Sequence, residues 1–181
     1  MKNLYITISP SRGVTVKNPH FSPKTVEEIV NQKASWIYKK LEELEKRLDI
    51  AKIYETEGKV LYLGKKEALH VENIEQFYKE ETKKIVLKEI EEISAKMKLN
   101  PTKISFRKTK RRWGSCNHKN ELSFTITLAQ LPLSAIHYII IHELSHIRYK
   151  NHKKEFYANI YKYMPDFKTQ EAILKNYSPK L

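Results

Sequence analysis

The stretch Ile139-Ile140-Ile141-His142-Glu143-Leu144-Ser145-His146 decides how the rest of the chain is read. From Ile136 onward it is apolar almost all round, the pattern of a helix buried inside a protein rather than lying on its surface. On a helix, residues i and i+4 stand about 400° apart and so only about 40° off a common face. His142 and His146 therefore converge, while Glu143 lies beside their face, placed to act on a water rather than on a metal. Burying three polar side chains is costly unless they are paired or bind a metal ion. A His-Glu-x-x-His run in this setting is the signature of a Zn²⁺ site with a general base. A merely hydrogen-bonded helix is the blander reading and leaves the burial unexplained.

The third ligand does not follow from that spacing. On an unbroken helix His152 would stand about 240° round from His146 and point away, so the chain must turn between them. Lys150-Asn151 offers a turn, since asparagine tolerates the left-handed conformation used just past helix ends. His152 then opens a helix running to about Tyr163 and faces back. Glu155, one turn further on, and Cys116 are the competing ligands, because zinc accepts imidazole, carboxylate and thiolate.

At 181 residues the chain suits one domain with a real core, in two lobes, an N-terminal one over 1–75 and a catalytic one over 76–181. One cysteine permits no internal disulfide. With no charged-then-apolar leader and no apolar stretch near membrane-spanning length, the expectation is a soluble cytoplasmic protein with no membrane partner. The net charge of +13 raises the question of nucleic acid, yet most of it is lysine interspersed with glutamate, as on solvated helix faces. One segment differs. Arg107, Lys108, Lys110, Arg111 and Arg112 crowd beside Trp113, a mix that can hold phosphate and stack a base. The first four are candidate DNA contacts, with a solvated strand end as the alternative.

Alternating residues over 4–8 and 13–17 indicate a β-hairpin. Ser22-Pro23, or Thr25 with Glu28, caps a helical region reaching about Arg47, with Val26, Ile29, Val30, Trp36, Ile37, Leu41, Leu44 and Leu48 as its buried stripe. Short strands are expected near 60–63 and 68–71, with Gly58 and Gly64 at turns. A long helix spans about Ile74 to Leu99 and ends before Pro101. Two strands, 103–108 and 121–128, are joined through a polar turn at 117–120, and Ser134 is a candidate N-cap for the helix that carries the histidines.

Taken together, Arg112-Trp113-Gly114-Ser115-Cys116, Leu131-Pro132, Tyr138 to His146, Asn151-His152 and Phe156 resemble the YgjP-like metallopeptidase domain, a zincin group related to SprT-like and WLM proteases. Ala34-Ser35-Trp36-Ile37 and Leu61-Tyr62-Leu63-Gly64 extend the resemblance over nearly the whole chain. It implies an α+β, zincin-like fold with a small β-sheet packed against the active-site helix, beside an N-terminal β-hairpin and helical lobe. It also implies one Zn²⁺ per chain held by His142, His146 and His152, with Glu143 as catalytic base and a protein or peptide as substrate. Departures from the family pattern fall at Thr125 and Thr127, on the strand 121–128 expected to hold substrate. For a transition-state electrophile the candidates are Arg112, Tyr149, Tyr157 and Tyr161, and for carboxylates that orient the ligand imidazoles, Asp166 and Glu171, with helix capping as the simpler role for Asp166. His20, His70, His118 and His137 have no partner at ligand spacing and are read as surface or packing residues.

Overall fold

In a computed structural model the described residues are 4–9, 13–17, 20–56, 59–69, 71–177 and 179, with backbone alone over 46–56. Gly58, His70, the hairpin turn 10–12 and the side chain of Leu48 lie outside them. The chain divides into two compact units, Met1–Lys52 and Ile53–Leu181. Among the described residues six α-helices and small sheets make it a mixed α+β protein.

In the first unit β1 (Tyr5–Ser9) pairs antiparallel with β2 (Gly13–Lys17). Two helices follow where one was expected, α1 (Pro23–Gln32) and α2 (Ala34–Thr56). Proline at the first helical position and a Ser22 hydroxyl that accepts from the Thr25 amide at 3.2 Å start α1, so the Ser22-Pro23 cap is the one used. Of the expected stripe Ile37 is buried, but Trp36 is 44% exposed.

The second unit opens with a hairpin of β3 (Val60–Tyr62) and β4 (Lys65–Glu67). Its two turn residues, Leu63 and Gly64, both have positive φ, 47° and 77°, as the tight hairpin turn compatible with strand twist requires. Leu63 is held in this unusual conformation from outside: its amide donates to Ala129 O at 2.8 Å, and that of Gly64 to Gln130 O at 3.0 Å. A Cβ on Gly64 would stand 2.6 Å from Pro132 Cγ. The Leu-Gly and Leu-Pro pairs of the sequence thus meet, and the turn abuts the start of the histidine-bearing helix.

Helix α3 (Ile74–Met97) starts at an Asn73 side chain that accepts from Gln76 N and ends at Lys98 in the left-handed conformation. Its buried residues Tyr78, Thr82, Val86 and Ile90 recur every fourth position, one stripe of a 3.6-residue helix. The three-stranded sheet consists of β5 (Lys103–Arg107), β6 (Gly114–Cys116) and β7 (Glu121–Thr125), with β7 in the middle, parallel to β5 and antiparallel to β6. The polar turn at 117–120 therefore joins β6 to β7, not β5 to β7. Because both edges of β7 are taken, the strand at 121–128 is no open edge for substrate. Thr125 and Thr127, each 1% exposed, have their hydroxyls 3.1 Å apart in the interior.

A short 3₁₀ turn (Leu128–Gln130) leads into α4 (Leu133–Arg148). Pro132, not Ser134, occupies the cap position, and its fixed φ presets the first turn. Helix α4 packs against α3, β6, α5 (Lys154–Tyr163) and α6 (Phe167–Leu174). Ile136, Ile140 and Leu144 are fully buried on it, and each such side chain stabilises by about 1.5–3 kcal/mol relative to exposure. Leu122, Phe124, Val86, Phe156 and Ile160 complete the core around them.

One buried polar group ties α3 to this core. The Thr82 hydroxyl donates to Ile126 O at 2.6 Å and accepts from Ala129 N at 3.0 Å. Thr82→Val keeps the volume but orphans a buried carbonyl and a buried amide, so urea unfolding is expected to show a loss of about 2–3 kcal/mol, with Thr82→Ser recovering most of it. A valine variant as stable as the parent would show that water replaces the hydroxyl.

Candidate functional site

Helix α4 ends at Tyr149, whose extended backbone (φ −120°, ψ 101°) breaks the helical path. The chain then bends at Lys150 and Asn151 as expected, without a left-handed Asn151, and His152 precedes α5 without belonging to it. The reversal still brings His152 back onto α4: its Nε2 lies 3.1 Å from His146 Nε2 and 3.2 Å from His142 Nε2. His142, His146 and His152 form the single cluster with metal-ligand geometry among the described residues. Glu155 and Cys116, the competing ligands, stand outside it. The Cys116 thiol, pushed up by burial, donates to Asn117 O at 3.5 Å.

The proton positions follow from the partners. His146 Nδ1 faces the carbonyl oxygen of Tyr149 at 2.9 Å, and since a carbonyl only accepts, Nδ1 carries the hydrogen and Nε2 a bare lone pair. Tyr138 Oη donates to Glu171 Oε1 at 2.8 Å; burial and that carboxylate push the phenol far above its ordinary range. Its oxygen is left to accept from His142 Nδ1 at 3.4 Å, so His142 Nε2 is bare as well. Two lone pairs point at a third imidazole nitrogen, and one proton on His152 satisfies at most one of them. A cation resolves the conflict. The 3.1–3.2 Å separations are close to the edge of a tetrahedron with zinc–nitrogen bonds of about 2.0–2.1 Å, so the residues fit zinc in donor type, protonation and spacing.

Phe156, fully buried on α5, packs against all three imidazoles, with ring centroids 4.9, 4.5 and 4.7 Å from those of His142, His146 and His152. This apolar floor removes solvent from one side of the triad. Burial lowers the His142 pKa to about 3 and that of His146 in the same direction, so both stay neutral and able to ligate. Helix α5 is locked to α4 by Asn159, whose Nδ2 donates to Ser145 Oγ at 2.8 Å while Ser145 donates to Ile141 O. Of the two carboxylates expected to orient imidazoles, Glu171 acts through Tyr138. Asp166 stands at the cap position of α6 as expected, with its carbonyl and not its side chain accepting from a helix amide, and its carboxylate accepts from Gln170 Nε2. His137 pairs with Glu89 of α3 at 2.6 Å, a packing contact.

Glu143 sits on the side of α4 that meets β6 and is 6% exposed. A Cβ on Gly114 would stand 2.7 Å from Glu143 Cγ and 2.8 Å from its Oε1, so any larger residue at this strand position would displace the Glu143 side chain. Sequence reasoning quoted Gly114 within its motif but missed this role, although a glycine inside a strand is itself a sign of close backbone approach. The roles of Phe156, which the motif contains, and of Ser145 and Asn159 were not legible either, because they depend on how α5 packs on α4. Among the described residues the Glu143 carboxyl has no hydrogen-bond or ion-pair partner. Burial raises its pKa to about 8, partly offset by the charge of Arg112.

The expected electrophiles are dispersed. Tyr157 is 37% exposed, its ring 6.2 Å from that of His152 and stacked on Phe167. Tyr161 is 59% exposed, and Tyr149 meets the triad through its backbone carbonyl. Arg107, Lys108, Lys110, Arg111 and Arg112 line a cleft of about 390 Å³ together with Gly114 and Ser115. Trp113 packs against the core instead of standing beside them as a stacking platform.

The raised pKa has a consequence for stability. Glu143 holds its proton more tightly in the folded chain, at about 8, than at the ordinary 4.5 of an unfolded one, so the stability it contributes is full below pH 4.5 and is lost as pH rises to 8. The lowered histidines act in the opposite sense, but only below their ordinary 6.5. Chelator-stripped protein is therefore expected to lose about 1–2 kcal/mol between pH 6.5 and 8 in urea unfolding, and Glu143→Gln to flatten that decline. A decline of the same size in the variant would mean that the carboxylate is already charged at neutral pH.

Among the described residues no helix is long and apolar enough to cross a membrane. Comparison with curated proteins and with solved structures returned no significant match. The family model described as YgjP-like, metallopeptidase domain matches residues 2–73 and 66–177, taking in both compact units and all of the histidine cluster. The chain belongs to the YgjP-like metallopeptidase-domain family.

Proposed function

We propose that the protein is a zinc-dependent peptidase that hydrolyses amide bonds with Glu143 as its general base and one Zn²⁺ per chain held by His142, His146 and His152. The observation that carries this reading is the facing of bare Nε2 lone pairs on His142 and His146 toward His152 within 3.2 Å, on the same helix as a buried, unpartnered carboxyl. Membership of a metallopeptidase family supports a hydrolase that uses a metal.

Zinc, when bound there, supplies Lewis acidity toward a water molecule and toward the carbonyl oxygen of the scissile amide. The remaining steps belong to side chains. Glu143 takes the proton of the attacking water on its carboxyl and passes it to the leaving amine nitrogen. Both transfers are served by a group whose proton affinity lies close to the working pH, and burial moves this carboxyl to about 8. Gly114 keeps β6 close without filling the space that the carboxyl occupies. Phe156 excludes water beneath the imidazoles. Tyr138, backed by Glu171, holds His142 in one tautomer, as the Tyr149 carbonyl holds His146. Arg112, whose charge reaches Glu143, and Tyr157, beside His152, are the proposed groups for holding the substrate carbonyl.

Elemental analysis of gently purified protein is expected to find about one zinc per chain, and zinc-loaded protein to cleave a denatured polypeptide. Glu143→Gln should keep the metal and lose turnover by about a hundred- to ten-thousandfold, whereas His146→Ala should lose the metal. Zinc loss in both variants would make Glu143 a ligand and overturn its assignment; no zinc, and none taken up, would sink the reading itself. Gly114→Ala, which thrusts a methyl at Glu143, is expected to behave like Glu143→Gln, with metal retained and turnover lost.

A further inference from the structure

Arg107, Lys108, Lys110, Arg111 and Arg112 do not spread over a convex surface. The segment between β5 and β6 folds them around the cleft of about 390 Å³ that Gly114 and Ser115 also line. Crowding like charges in a concavity is unfavourable, and the field there attracts anions. Lys108 pairs with Glu75. Among the described residues the side chains of Arg107, Lys110 and Arg111 have no carboxylate to pair with, and the charge of Arg112 reaches only the buried Glu143. Three unpaired cations and two further ones thus face one concavity.

Two further observations narrow the ligand. Gly114 belongs both to this cleft and to the wall against Glu143, so an anion bound there lies beside the reacting centre. The cleft also lacks a stacking face. Binders of single-stranded nucleic acid combine cations with exposed aromatics, whereas Trp113 is packed on the core and Phe124, the aromatic lining the cleft, is 1% exposed. Guanidinium forks without a base platform match carboxylates.

We infer that the cleft is a subsite for acidic side chains of a polypeptide substrate, close to the cleaved bond, so that the enzyme selects acidic segments over neutral ones. This rests on the peptidase reading, and binding is measured apart from cleavage to keep the two separable. The probes are two short fluorescent, unstructured peptides, identical save that two adjacent glutamates in one are glutamines in the other. Anisotropy is recorded with zinc-loaded Glu143→Gln protein, which cannot consume them. An exposed ion pair adds at most roughly fivefold in affinity, so two glutamates are expected to bind about tenfold tighter in about 50 mM salt, the gap shrinking as salt rises. Adding Lys110→Ser and Arg111→Ser, two exposed positions outside the proposed catalytic set, should abolish the gap while leaving zinc content and binding of the neutral peptide unchanged. Equal affinity for the two peptides overturns the inference, as does a gap that survives the double change. Preference for single-stranded DNA with none for the acidic peptide also overturns it and makes the cleft a nucleic-acid contact. If the acidic preference is present and lost in the double variant, yet zinc-loaded wild type cleaves neither peptide, the acidic-peptide site stands and the peptidase reading falls.

Discussion

Burial of α4 is the constraint on which the site depends. A helix that carries His142, Glu143 and His146 is enclosed by α3, β6, α5 and α6, and removal from water disfavours the charged form of these three groups. The same cause acts in opposite directions on acid and base. It strips the proton from the imidazoles, exposing lone pairs, and leaves it on the carboxyl, raising Glu143 to about 8. Neutral imidazoles and a carboxyl of raised proton affinity thus come from one packing arrangement. The cost falls on stability, since three polar groups are buried with few bonds of their own. The isoleucines at 136 and 139–141 and the leucine at 144, nearly all buried on the same helix, supply the apolar burial that offsets it.

Burial alone would not aim the imidazoles. Each Nε2 is directed by what its Nδ1 meets, and those partners come from different places: a backbone carbonyl at the end of α4 for His146, and for His142 a tyrosine one turn earlier, itself fixed by Glu171 of α6. Such outer contacts set tautomer and ring orientation. His152 reaches the cluster because the chain reverses over residues 149–151, and the Asn159–Ser145–Ile141 series then fixes where α5 lies. Phe156 on that helix touches all three rings, so the position of α5 sets both the third histidine and the solvent exclusion beneath it.

What could be read from the sequence was local. The i, i+4 pair with its intervening glutamate, the apolar lead-in, the end of α3 ahead of Pro101 and the first hairpin all depend on neighbours a few positions apart. What was not legible depended on distant partners. The segments at 103–108 and 121–128 read as two strands joined across a polar turn, because nothing in either encodes that β6 would fold back on the far side and leave them parallel. Trp36 fitted a helical stripe and is exposed all the same, since periodicity does not say which flank of a stripe faces outward. Trp113 beside five cations suggested stacking, yet a large apolar ring gains more from the core than from solvent. Ser134 is a good cap by type, but Pro132 with the Leu63-Gly64 turn against it starts the helix two residues earlier.

Two of the four glycines in the chain define the surroundings of α4. Gly64 lets a hairpin turn close over Pro132 at the start of the helix, and Gly114 lets β6 lie against Glu143 in its third turn. At both positions a single methyl would collide with a neighbour at under 3 Å, one a rigid ring and the other the end of a flexible side chain. The two collisions therefore differ in kind. Proline cannot move without shifting the helix start, so a side chain at residue 64 acts on the fold. Glu143 can rotate away from residue 114 and leave the backbone where it is, so a side chain there acts on the chemistry. The structural and the functional glycine are told apart by the stiffness of what they touch, a distinction that exists only once the helix and the strands have met.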